Sequence, residues 1–77
     1  MIGDNIKFYR KKNQLTQDDI AEACNVTRQA VSKWENGESL PTVDNLYALS
    51  RLLHTSVDDI LIGEKERDDE PLSLIHI

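Results

Sequence analysis

An all-α domain of five short helices is what this sequence predicts, and three observations predict it. Apolar residues recur at three- and four-residue spacing through most of the first 62 positions, and no period-two alternation persists there. Helix-starting residues stand at intervals: Thr16 with Asp19 and Ser56 with Asp59 repeat a Ser/Thr-x-x-acid spacing, while Thr27 and Thr42 each precede another periodic run. The length, 77 residues, supports one small domain, whose limited core suits simple helix packing.

In the first helix Ile2, Ile6 and Tyr9 fall at i, i+4 and i+7 and make one apolar stripe, with lysines on the other face and an end near Lys12. Thr16 caps a second helix from Gln17 to about Cys24. Asp18 suits its positive end, Asp19 completes the capping pair, and Ile20, Ala21 and Cys24 form the inward face. Asn25 fits a left-handed helix end. Thr27 then caps a third helix from Arg28 to about Glu35, with Val31 and Trp34 inward and a stop at Asn36-Gly37. Two helices of about eight residues joined only by Asn25-Val26-Thr27 lie too close to run antiparallel, so they must cross steeply, as in a helix-turn-helix. Leu40-Pro41-Thr42 makes a turn and a new start. The fourth helix spans roughly Val43 to Leu53 and buries Leu46, Leu49, Leu52 and Leu53. Ser56 opens a short fifth helix with Val57, Ile60 and Leu61 inward, and Gly63 closes the folded part.

With Val31 and Trp34 turned inward, Arg28, Gln29, Ser32 and Lys33 occupy the opposite face of the third helix, and no acid of that helix interrupts them. Each can donate a hydrogen bond. Arginine matches guanine O6 and N7, glutamine matches adenine N6 and N7, serine reads either, and lysine reaches guanine or phosphate. The same four residues on an isolated helix would be an ordinary solvated face. The preceding helix and tight turn favour nucleic acid, and the N–H groups at the start of the second helix, beside Gln17, offer a place for a phosphate.

The overall charge speaks the other way, since 14 acidic and 9 basic side chains leave a net −5. Its distribution resolves the conflict. Residues 1–63 carry 7 basic and 9 acidic groups, a net −2, whereas residues 64–77 carry 2 and 5, a net −3. Lys7, Arg10, Lys11 and Lys12 against Asp4 alone make the first fifteen residues locally basic.

The string Leu15-Thr16-Gln17-Asp18-Asp19-Ile20-Ala21, followed by Val26-Thr27-Arg28-Gln29-Ala30-Val31-Ser32-Lys33-Trp34-Glu35-Asn36-Gly37, closely resembles the Cro/C1 (Xre)-type helix-turn-helix family. The likeness continues through Leu40-Pro41 to Val57-Asp58-Asp59-Ile60-Leu61, covering about residues 2–62. It implies a compact five-helix, lambda-repressor-like DNA-binding domain that reads the major groove of a pseudo-palindromic operator as a homodimer. By motif position, Gln17 would contact phosphate and brace Gln29. Thr27, Arg28, Gln29, Ser32 and Lys33 would face base edges or nearby phosphates, and Asn36 would approach the backbone. The resemblance also implies a structural ion pair between Arg10 and Glu35, tying the first helix to the end of the third. Gln14 and His54 depart from the pattern at helix ends where the family often has glycine or asparagine, and each is expected to hold a left-handed conformation at a cost of roughly 1 kcal/mol.

Other functions find less support. One cysteine excludes an internal disulfide and a thiolate zinc site, and Cys24 sits where an inert core thiol belongs. His54 and His76 share no metal-ligand spacing, and no nucleophile and base stand at motif spacing, so neither a metal, a cofactor nor an enzymatic activity is expected. No apolar run approaches 18 residues and no secretory signal opens the chain, so a cytoplasmic protein without membrane contact is expected. A transcriptional repressor is the leading expectation. The competing one is an antitoxin or protein-interaction module in which partner binding is primary.

Residues 64–77 read as an acidic, disordered tail. Its end, Leu72-Ser73-Leu74-Ile75-His76-Ile77, alternates like a strand that could pair two chains, but it is also what one frame of a common transposase-end sequencing adapter encodes. The second reading carries more weight, which makes residues 72–77 non-native and implies that the natural chain continues past Pro71.

Overall fold

The structure, a computed structural model, describes residues 1–63. The expectations for residues 64–77 lie outside the described residues. Five helices follow one another: α1 (Ile2–Lys12), α2 (Gln17–Cys24), α3 (Arg28–Asn36), α4 (Val43–Leu52) and α5 (Val57–Ile62). Among the described residues no helix is long and apolar enough to cross a membrane.

Each start is set by a hydroxyl. Thr16 Oγ1 accepts from the Asp19 N–H at 3.0 Å while Asp19 Oδ2 accepts from the Thr16 N–H at 2.8 Å, a complete capping box. Thr27, Thr42 and Ser56 accept from the N–H groups of Ala30, Asn45 and Asp59 in the same way. Several ends use the left-handed region, where Gln14, Asn25 and His54 have φ near +60° and Gly37 and Gly63 take φ +80° and +74°. The third helix runs one residue further than the sequence suggests, to Asn36, and the fourth stops one earlier, leaving Leu53 as its cap.

The helices pack in a closed ring, α1 on α3, α3 on α2, α2 on α4, α4 on α5 and α5 back on α1. Ile6, Tyr9, Ile20, Ala21, Val31, Trp34, Leu49, Leu53 and Ile60 fill its centre. Leu61 corrects the sequence reading: it is 40% exposed, because a helix of six residues presents one narrow face to its two neighbours, and Ile60 occupies that face. Among the described residues the buried Tyr9 hydroxyl has no hydrogen-bond partner, so this residue serves the core through its ring.

Two buried or half-buried asparagines close the ring through backbone carbonyls. Asn5 Nδ2 donates to Ile60 O at 2.7 Å, joining α1 to α5. Asn13 Nδ2 donates to Tyr9 O at 2.7 Å and to Leu53 O at 3.0 Å, joining the end of α1 to the end of α4. Gly3 lies where α1 meets the last turn of α3, and a Cβ there would strike the carbonyl oxygens of Trp34 and Glu35.

Cys24 is half-buried against the core, and burial pushes its thiol above the ordinary cysteine range. The thiolate is the reactive form, so Cys24 should react with a disulfide reagent at pH 7.5 severalfold more slowly than a free thiol, and at the free-thiol rate in urea. Equal rates in the folded and unfolded chain would show an open, unperturbed thiol.

Candidate nucleic-acid interface

The turn between α2 and α3 is built by backbone as much as by side chains. Asn25 takes φ 59° and ψ 45°, and the Val26 N–H reaches back to Ala21 O at 2.9 Å, which closes α2 and redirects the chain. Val26 packs on the core, and Thr27 opens α3 immediately afterwards. The rotation of α3 is then fixed by Val31, fully buried, and by Trp34 and Glu35, both buried.

That rotation leaves Arg28, Gln29, Lys33 and Asn36 exposed and Ser32 half-buried. Arg28, Gln29 and Ser32 line one shallow cleft of about 250 Å³ together with Gln17 from α2. Lys33 and Asn36 stand outside that lining. The amide of Asn36 lies 3.5 Å from Ser32 Oγ, and Asn36 borders a separate hollow with Gly3 and Asp4. The Thr27 hydroxyl oxygen accepts the Ala30 N–H at 3.1 Å, which leaves its proton as a donor toward solvent.

Beneath the cleft is a charged node. Arg10 Nε donates to Glu35 Oε2 at 2.7 Å and Nη2 to Oε1 at 3.2 Å, while Nη1 donates to Leu15 O at 3.0 Å. The side chains are 13% and 3% exposed. Arginine and carboxylate meet as a two-pronged fork, the strongest geometry open to such a pair. Gln17 adds a fourth bond, its Nε2 donating to Glu35 Oε1 at 3.1 Å. The Gln17 amide is thus turned toward Glu35, whose buried carboxylate has an acceptor to fill, while Gln17 and Gln29 border the same cleft.

The outer face of α3 carries no acid of its own, but α2 brings one beside it, since Asp18 Oδ1 stands 4.0 Å from Arg28 Nε. Asp18 and Arg28 share a hollow with Arg10, Thr16 and Gln17 beside the first cleft. No sequence spacing signals the pair, because it depends on how α2 and α3 cross.

A two-helix unit joined by a tight turn, with its second helix exposed on a polar, donor-rich face and held in a five-helix ring, defines a helix-turn-helix domain. The chain belongs to the Cro/C1-type helix-turn-helix family, whose description, "Helix-turn-helix", matches residues 6–60. It is 40% identical over 70 residues to the HTH-type transcriptional regulator DicA of Escherichia coli K12, covering 91% of this chain and 52% of DicA. The antitoxin PezA of Streptococcus pneumoniae is 36% identical over 64 residues, covering 83% of this chain and 40% of PezA. Among solved structures, the P22 c2 repressor protein in complex with synthetic operator 9T superimposes with a TM-score of 0.77 at 36% identity, covering 82% of this chain and 96% of that one. The chain thus spans about half the length of the regulator DicA and less of PezA.

Proposed function

We propose that this chain is the DNA-reading part of a transcriptional regulator, a repressor that acts by occupying its operator and carries out no chemistry. One observation carries the reading: α3 is locked in rotation by Val31, Trp34 and Glu35, so Arg28, Gln29 and Ser32 form one donor surface bordered by Gln17. Arg28 is matched to guanine and Gln29 to adenine in the major groove, Ser32 to either base, and Lys33 to guanine or phosphate. Thr27 and Gln17 stand where a phosphate would flank the helix, and Asn36 where the backbone would pass the far end. One module reads only three or four base pairs, so two copies on a pseudo-palindrome with half-sites about one turn apart is the working form, in the cytoplasm. The P22 repressor bound to its operator supports this by likeness of fold and sequence.

Selection of bound duplexes from a random library at low salt is the direct test, and an enriched palindrome is the expected result. Arg28→Ala and Gln29→Ala should then each lose about 1–3 kcal/mol of preference for the selected site over random DNA. Lys33→Ala should weaken both kinds of binding alike and reduce the salt slope by about one. Equal losses on selected and random DNA for all three variants would overturn the assignment. The likeness to antitoxin PezA supports a second reading, in which a protein partner is primary. Failure to enrich any sequence, with tight binding to the product of an adjacent gene, would favour it.

A further inference from the structure

Asp18 has no part in the capping of α2, which Thr16 and Asp19 complete between them. Its carboxylate instead meets Arg28, with Oδ1 at 4.0 Å from Nε and the two side chains 75% and 68% exposed. A pair so open to water contributes little to folding. What it does set is the side of the guanidinium that faces an acid. Nε lies beside the aliphatic stem, so a carboxylate on that side leaves the two terminal Nη groups without a hydrogen bond to it. Those two groups are the fork that fits guanine O6 and N7. The carboxylate has a second effect. A free arginine at the rim of a DNA-binding face pairs with any phosphate, and an acid beside it repels phosphate and holds the side chain back.

Resting on the DNA-reading function proposed above, we infer that Asp18 is a positioning residue that sets guanine discrimination by its charge on the Nε side of Arg28, which opposes capture of the guanidinium by phosphate. α2 thus does more than support the reading helix. It supplies the counter-charge that makes an arginine on α3 selective, and it explains why an acidic residue stands at the front of a face meant for a polyanion. The hollow shared by Arg10, Thr16, Gln17, Asp18 and Arg28 places this contact directly beside the cleft lined by Gln17, Arg28, Gln29 and Ser32.

The test measures affinities of the 77-residue chain and of Asp18→Asn, Asp18→Glu, Arg28→Ala and the double variant Asp18→Asn/Arg28→Ala. The probes are the duplex enriched by the wild-type chain and a random duplex of equal length, over a range of salt. Asp18→Asn should bind random duplex about threefold tighter with a salt slope steeper by about one. Its preference for the enriched site should fall by about tenfold, most of it at the guanine read by Arg28. Asp18→Glu should retain the preference within about twofold, since it keeps the charge. In the Arg28→Ala background, Asp18→Asn should leave the preference unchanged, a coupling that a merely structural role would not produce. Both side chains are exposed, so the thermal midpoints should match and exclude unfolding as the cause. If the wild-type chain discriminates and Asp18→Asn discriminates equally well, this inference is overturned while the DNA-reading function stands. If the wild-type chain enriches no site at all, that function fails and takes this inference with it.

Discussion

Glu35→Ala should lose about 3–5 kcal/mol of folding stability, read as a large drop in the urea midpoint and in Tm. The magnitude follows from burial. Glu35 is 3% exposed and Arg10 13%, so deletion of the carboxylate leaves a guanidinium in a poorly hydrated place with no counter-charge, and strands Gln17 Nε2 as well. Domains of this size have little stability in reserve, so the variant should be largely unfolded at moderate temperature. The pair is not thereby a net source of stability. Replacing both partners with apolar residues, Arg10→Met with Glu35→Leu, should recover most of the loss, because no charge is then left buried. A loss below about 1 kcal/mol for Glu35→Ala would mean that the pair behaves as a solvated one.

Gly3→Ala is the second large effect, and here the sign is the informative part. Alanine in place of glycine inside an exposed helix normally stabilises by roughly 0.5–1 kcal/mol. At Gly3 a Cβ would lie 2.6 Å from Glu35 O, 2.9 Å from Glu35 C and against Trp34 O, all backbone atoms that no rotamer change can move. Relief requires α1 to slide away from α3, pulling on the Arg10–Glu35 fork. The expected cost is about 3 kcal/mol, at the upper end for overpacking. Denaturation of the variant by urea decides it, and a gain in stability would show that the two helices have slack between them.

The two effects separate what could be read in the sequence from what could not. Helix starts were legible because Thr16, Thr27, Thr42 and Ser56 act on N–H groups three residues away, and a local bond leaves a local pattern. The left-handed end at Asn25 was legible from the residue itself, and those at Gln14 and His54 only through the family resemblance. The rotation of α3 follows from Val31 and Trp34 alone, which is why its outer face is legible in the sequence. Gly3, Asn5 and Asn13 carried no such signal. Their distant partners are carbonyls 31 and 32, 55 and 40 residues away, and a carbonyl belongs to every residue, so no side-chain pattern marks it. Asp18 was ambiguous for another reason. An acid in the first turn of a helix is explained by the helix dipole, and only the crossing of α2 and α3 brings Arg28 within 4.0 Å of it. Leu61 misled because periodicity marks a side of a helix without telling how wide a neighbour that side will meet.

The last turn of α5 has a mechanical consequence. Gly63 is buried, its N–H is held by Asp59 O at 2.7 Å, and its missing side chain leaves the space that Asn5 occupies while Asn5 grips Ile60 O. Gly63 itself is therefore bolted to the body of the domain, on the side where α5 meets α1 and α4. A probe or a second module fused behind Gly63 inherits a fixed origin, so its reach is governed by the length and stiffness of the connecting segment and not by play at the joint. A torque applied there would reach the reading helix through α1, which rests on α5 at one end of the ring path and on α3 at the other.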